Sequence, residues 1–325
     1  MLKLKAQVEV EVEVDELGRK DGHVVYIGSD RHDFYDEHLQ ELIKEFAERY
    51  AYVQKMELNG TMITDNGVRL LRTICVPPYQ LQHIVFNDNQ NAKNALQWFG
   101  EIIVQPDSTL KILQLNLDRV DINQESWNLF CKGLESFCKA LESSSCGLQS
   151  FDLRLRDHSI PLFRALRSNQ SLKILKMEGW ALSPEEMEEL SLMLMCNKTL
   201  QTLSVKGCCF TSDANLDILC KGLVKSSLHI CEIDAVKDQE IAKLMDVATC
   251  NPVLEVLSIT VSARAQKAHL QLQAILQQNS KRKINAQKCL LALATNKFVS
   301  RSVYRKLLFY HNTCQLNHAG DPLTK

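Results

Sequence analysis

The stretch from Asn169 to Val205 reads NQSLKILKMEGWALSPEEMEELSLMLMCNKTLQTLSV and holds one full structural period plus the start of the next. Leu172, Leu175 and Met177 occupy the first, fourth and sixth places of a short phrase. Leu200, Leu203 and Val205 repeat that phrase at the same internal spacing. The last two apolar positions lie two apart, so they share one face of a short strand, and the first packs where the chain enters it. Between the phrases the period changes. Ser183-Pro184-Glu185-Glu186 has the composition of a helix start, with Ser as N-cap, Pro in the first turn and acids at the positive end. Met187, Leu190 and Leu194 then recur at helical steps. An Asn stands three places before each leading leucine, at Asn169 and Asn197.

The phrase recurs in both directions. Upstream it reads Val53-Met56-Leu58, Leu81-Ile84-Phe86, Leu110-Leu113-Leu115 and Leu148-Phe151-Leu153. Downstream it reads Leu228-Cys231-Ile233 and Leu254-Leu257-Ile259. The leading positions recur at about 28 residues, the period of leucine-rich repeats, except for one long interval before Leu148 and one short interval after it. Trp127, Phe130, Leu134, Phe137, Cys138 and Leu141 mark one intervening helix, and Leu216, Leu219, Cys220 and Leu223 another. Eight such units predict an α/β leucine-rich-repeat solenoid: a curved horseshoe with parallel strands on the concave face and helices on the convex face.

Capping elements are expected at both ends. Gln7 to Val14 alternates strictly, Leu17 to Gly22 reads as a turn and His23 to Ile27 returns, which predicts a hairpin. Asp36 to Ala51 reads as an amphipathic helix through Leu39, Leu42, Ile43 and Phe46. Residues 1–51 are therefore read as an N-terminal cap and 52–280 as the repeats. Asn251 opens the last complete phrase. Asn279 opens another, but Arg282 stands where its leucine belongs, so the solenoid is expected to end there. Residues 281–325 are read as a basic helical cap with two short helices between Ile284 and Asn312.

Composition bounds the function. Among 325 residues, 45% are hydrophobic and 24% charged, which is ordinary for a globular chain and too apolar for disorder. Met1 to Asp15 lacks the apolar core of a secretory signal, and no apolar run approaches bilayer length. Twelve cysteines sit mostly in apolar positions, such as Cys131, Cys138, Cys196 and Cys220, and read as reduced thiols in a cytosolic-type compartment. Net charge is −1 but uneven. From Val256 onward eleven bases face the single acid Asp321, giving +10 there and −11 before it. GxxxxGK[ST], GxGxxG and GxSxG motifs are absent, so no enzyme and no cofactor are expected.

These phrases resemble the ribonuclease-inhibitor-like leucine-rich repeats, in which Asn or Cys follows the strand. Asn89 and Cys208 fit that position, whereas Thr61, Asp118, Arg156, Trp180, Val236 and Ser262 depart from it. The resemblance covers residues 52–280 and implies a fold more firmly than a function. The irregular repeats and many cysteines also resemble leucine-rich-repeat effectors of Legionella. That likeness implies delivery into the host cytosol and a host protein as partner.

The expected site is the concave face, binding another protein and no small-molecule substrate. Its named residues are Arg154, Arg156, Lys176, Glu178, Trp180, Lys206, Glu232 and Asp234. Arg154, Arg156, Lys176 and Lys206 would form a basic centre with Glu232 and Asp234 beyond it, a charge pattern able to steer a complementary partner. Trp180 has two readings, an exposed anchor or a plug for the turn. Trp98 and Trp127 read as core. Asp30, His32, Asp33, Asp36, Glu37 and His38 are metal-ligand types, but their spacing matches no standard site and a helix start explains them. The adjacent Cys208 and Cys209 read as buried thiols. The alternative function is an adaptor for nucleic acid or an anionic membrane through Lys281, Arg282, Lys283, Lys288, Arg301, Arg305 and Lys306, weighed against a solvated cap.

Overall fold

The computed structural model describes residues 8–14, 20–27, 34–49, 53–79, 81–89, 92, 94–117, 124–154, 159–210, 213–233, 241–259 and 266–294. Strands β1 (Val8–Val14) and β2 (Lys20–Ile27) form an antiparallel hairpin. Helix α1 (Asp36–Arg49) follows. Strand β2 pairs in parallel with β3 (Val53–Asn59), so one sheet joins the expected cap to the repeats.

Strand–helix units follow in order. They are β3 with α2 (Asp65–Leu71), β4 (His83–Asn87) with α3 (Ala95–Ile103), β5 (Ile112–Asn116) with α4 (Gln124–Glu142), and β6 (Ser150–Arg154) with α5 (Ile160–Leu166). After β7 (Ile174–Met177) comes the short β8 (Ala181–Leu182) and α6 (Pro184–Cys196). After β9 (Thr202–Val205) come β10 (Cys209–Phe210) and α7 (Asp213–Lys225). The last units are β11 (Ile230–Ile233) with α8 (Ile241–Cys250) and β12 (Val256–Ile259) with α9 (Gln266–Ala294). Among the described residues the main sheet has ten strands in the order β1-β2-β3-β4-β5-β6-β7-β9-β11-β12, with β8 and β10 pairing separately. Apart from the β1 hairpin, every pairing in it is parallel.

Strands in a sheet lie about 4.8 Å apart, and packed helices about 8–10 Å apart. The helical side therefore follows the longer arc, and the sheet lines the concave side. The fold is a leucine-rich-repeat solenoid. The leading leucines Leu81, Leu110, Leu148, Leu172, Leu200, Leu228 and Leu254 are all at most 3% exposed, and one apolar core runs through the stack. The uneven period is absorbed by the helices. The long unit that starts at Leu110 contains the 19-residue α4, and the short unit that starts at Leu148 contains the 7-residue α5. Strands β5, β6 and β7 keep residue-for-residue pairing regardless. Close helix contact selects Gly222 in α7, where a Cβ would come within 2.8 Å of the Ser191 backbone in α6.

The asparagines that precede the leucines form a buried ladder. Asn169 Nδ2 donates to the Leu141 carbonyl at 2.6 Å, and Asn197 Nδ2 to the Leu166 carbonyl at 2.6 Å. Asn251 Nδ2 reaches the Leu223 carbonyl at 2.7 Å. On its own repeat each side-chain oxygen accepts a backbone N–H, from Leu172, Leu200 and Val253 respectively. Each Asn thus pairs orphan carbonyls at one helix end with the turn of the following unit.

At the C-terminal end one helix crosses the expected boundary between residues 280 and 281. Helix α9 is continuous through residues 280 and 281 and reaches Ala294, so a separate helix does not begin at Ile284. No Gly or Pro interrupts this stretch, and its Ala, Leu, Gln and Lys favour helix. Asn279 lies inside the helix, 1% exposed, and donates to the carbonyls of Ala248, Asn251 and Leu254. It is the last rung of the ladder, although no strand follows it among the described residues. Residues 295–325, with the remainder of the expected second helix, lie outside the described residues.

Candidate functional site

Pairing of the strands sets side chains in rows across the open sheet face. The first row runs Lys55, His83, Ile112, Ser150, Ile174, Thr202, Ile230, Val256. The second runs Glu57, Val85, Gln114, Asp152, Lys176, Ser204, Glu232, Ser258, and the third begins Asn59, Asn87, Asn116, Arg154. These positions alternate with buried ones such as Phe151, Leu153, Leu175 and Leu203, as a sheet covered by helices on one side requires.

The first row carries a broken aliphatic stripe, in which Ser150 separates Ile112 from Ile174, Thr202 separates Ile174 from Ile230, and only Ile230 and Val256 are neighbours. Ile112, Ile174 and Ile230 are half-buried, and Val256 on the terminal strand is 46% exposed. The charged residues beside it are paired with one another across strands. Arg154 on β6 bonds Glu178 just beyond β7, and Lys206 just beyond β9 bonds Glu232 on β11 at 3.0 Å. Lys176 faces Asp152 in register. At the other end Lys55 meets Glu57 at 2.6 Å. Arg154, Lys176 and Lys206 each stand next to an acid from an adjacent unit.

The titrating groups respond to that arrangement. Burial and the neighbouring Glu178 raise the Asp152 carboxyl above its ordinary range, with Lys176 and Arg154 opposing. Burial would raise Glu232 too, but hydrogen bonds from Lys206 and Ser204 outweigh it and hold this carboxyl low. Burial and the Lys55 charge push His83 down, so it is neutral near pH 7.

Trp180 is not an exposed anchor. It is 1% exposed, its ring lies 6.4 Å from that of Phe163, and its indole N–H donates to the Leu153 carbonyl at 3.1 Å. The same post reappears at the exits of other strands. Asn89 Nδ2 donates to the Leu58 carbonyl at 2.9 Å, and the Cys208 thiol to the Met177 carbonyl at 3.3 Å. At these exits the residue following a strand supplies a donor to the strand before it, and indole N–H serves as well as amide or thiol. Gly179 just before Trp180 takes φ +77°, the left-handed turn that delivers the ring inward.

Of the remaining named residues, Arg156 and Asp234 lie outside the described residues. Trp98 is only partly buried. It lines a groove between α1, α2 and α3, with the Arg69 guanidinium 4.7 Å from its ring. The Trp127 side chain lies outside the described residues, as do Asp30, His32 and Asp33. Asp36 accepts from the Thr64 N–H at 2.9 Å and also from its hydroxyl, tying α1 to the start of α2. Among the described residues no group of His, Cys, Asp and Glu is placed to hold a metal ion, and no helix is long and apolar enough to cross a membrane. A linear reading misses the cross-strand ion pairs, since each joins residues of neighbouring units and only the register brings them together.

No protein-family model matches the chain, and no curated protein matches it. Among solved structures it is similar to the leucine-rich repeat-containing protein LegL7 from Legionella pneumophila. That likeness has 14% identity, 73% of this chain and 86% of that chain covered, and a TM-score of 0.42. It is also similar to actin-binding site 2 of leiomodin-1, at 13% identity, 50% and 81% coverage and a TM-score of 0.30.

Proposed function

We propose that the protein acts without catalysis, as a module that receives another protein on its open sheet face. The observation that carries this reading is the broken aliphatic stripe Ile112, Ile174, Ile230 and Val256, interspersed with Ser150 and Thr202, on a sheet where Arg154 and Lys206 are paired with Glu178 and Glu232. Covering such a stripe removes apolar surface from water at about 25 cal/mol per Å². The paired charges around it hold fixed positions for matching polar contacts. Binding of this kind depends little on salt, because few free charges are involved. Buried thiols support a reducing setting. Cys75, Cys138 and Cys231 fill core positions, and burial pushes each up to about 12, so they stay protonated. The likeness of the irregular, cysteine-rich repeats to Legionella effectors supports a partner in the host cytosol.

The test is affinity capture from a eukaryotic lysate with the wild type and an Ile174→Asp, Ile230→Asp double variant. Proteins retained by the wild type should be lost by the variant while its circular dichroism is unchanged. Retention of the same proteins by both would refute the assignment of this face. An Arg154→Glu, Lys206→Glu variant separates the stripe from the ion pairs.

A further inference from the structure

The two ends of the solenoid carry opposite charge. Helices α1 to α9 form one layer, each packed on the next, so α1 and α9 terminate that layer among the described residues. Strand β1 terminates the sheet on the α1 side, and β12 on the α9 side. Residues 1–51 hold thirteen acids against seven bases, a net −6, including Glu9, Glu11 and Glu13 of β1. The next 204 residues, 52–255, carry only −5, so the acid is concentrated at the N-terminal end. Helix α9 holds five bases, Lys267, Lys281, Arg282, Lys283 and Lys288, and no acid. Residues 295–325 add five bases and one acid, the same sign. On α1 Glu37 and Glu41 are exposed and form no ion pair among the described residues. On α9 Lys283 is held by Glu255 at 2.5 Å, whereas Lys281 and Arg282 are exposed and form none. Exposed apolar side chains at these ends, Tyr35 before α1 and Leu270 and Ile284 on α9, are isolated. Charge therefore decides what the ends can meet.

We propose that the acidic end of one copy of this chain docks against the basic end of a second copy. One contact then answers both ends, because Glu37 and Glu41 of α1 meet Lys281 and Arg282 on the α9 of the next copy. Contact between like ends, which an isologous dimer would need here, sets α1 against α1 or α9 against α9 and brings like charges together. The arrangement is therefore head to tail. Each added copy leaves a free acidic end and a free basic end, so the assembly grows with concentration unless its rotation closes a ring. Nucleic acid or an anionic membrane would meet α9 alone and be repelled by the acidic end. Exposed charges are screened by salt, so the contact weakens as ionic strength rises. It leaves the open sheet face free and stands or falls independently of the binding proposed there.

The experiment is sedimentation velocity of the nuclease-treated full chain over a range of concentrations, in about 50 mM and about 500 mM sodium chloride. At low salt the sedimenting species should grow with concentration, and at high salt it should return to monomer. Glu37→Lys with Glu41→Lys, and separately Lys281→Glu with Arg282→Glu, should each weaken self-association by about tenfold or more. An equimolar mixture of the two double variants should associate again, since it joins the intact basic end of one to the intact acidic end of the other. These positions are exposed, so thermal melting should be unchanged in both variants. A monomer at every concentration and salt overturns the proposal. So does undiminished association in either double variant, as a symmetric contact at one end would give, or a mixture that stays monomeric. Preference of the wild type for duplex DNA or phosphatidylserine vesicles over its own copies also overturns it.

Discussion

Replacing Trp180 by Phe separates a structural post from a binding anchor. Phe retains the contact with Phe163 but cannot donate to the Leu153 carbonyl, which lies 3.1 Å from the indole nitrogen. An orphaned buried acceptor costs about 1–3 kcal/mol. The space vacated by the smaller ring adds about 1 kcal/mol if the surroundings relax little. Trp180→Phe should therefore lower stability by about 2–4 kcal/mol, read as a shift of the urea midpoint at constant slope in circular dichroism. Trp180→Asn provides the companion test. Asn89 shows that an amide at this post reaches the preceding strand's carbonyl at 2.9 Å, so Asn should restore the donor while leaving the larger cavity. The Leu153-to-Trp180 bond is local, and amide exchange should rise first in β6 and β7. A loss of only about 0.5 kcal/mol in Trp180→Phe, typical of a surface substitution, would refute the post. Loss of partner binding without loss of stability would restore the anchor.

Further outcomes follow from other contacts. Glu186 accepts from the backbone and hydroxyl of both Ser159 and Ser183; burial would raise its carboxyl, but these bonds prevail and hold it below its usual value of 4.5. A depressed folded-state value contributes stability above the unfolded value, which is lost as pH falls through the folded one. Wild type should thus lose stability below about pH 4.5, and Glu186→Gln should flatten that part of the denaturation profile. Asn279→Ala would orphan carbonyls of Ala248 and Leu254 and should cost about 2–4 kcal/mol, seen as faster amide exchange in β12 and α8. If exchange there is unaltered, Asn279 is not a rung. A thiol reagent should label the exposed Cys196 and Cys250 well before Cys75 and Cys231; simultaneous labelling would contradict their burial.

The strands and their pairing are legible in the sequence because the leucine phrase specifies both the buried face and the register. The asparagine preceding Leu172, Leu200 and Leu254 is legible as a marker, but its bonds to the preceding unit require the third dimension. Asn279 is one such marker. It opens a phrase in sequence, yet with Arg282 in the leucine place the chain simply continues as helix while the amide still closes the ladder. Trp180 is ambiguous in sequence because its type fits an interface as well as a core, and only the Leu153 carbonyl decides between them. The concave charges can be named individually, but a linear reading does not tell a cluster of bases from alternating pairs.

The asparagine ladder has a direction. Each amide reaches backward to carbonyls made earlier in the chain, so a unit that has just left the ribosome is incomplete until the next asparagine arrives. Growth by duplicating a unit that opens with Asn169, Asn197 or Asn251 would preserve this relation, since the added copy brings an amide that finishes its predecessor. Removing the last copy would not, and a shortened array would remain sound only if its cut spared the final asparagine. The end of the repeat array is thus specified by one amide set in a helix, and deletion libraries should show a sharp viability step on crossing Asn279 rather than a gradual decline.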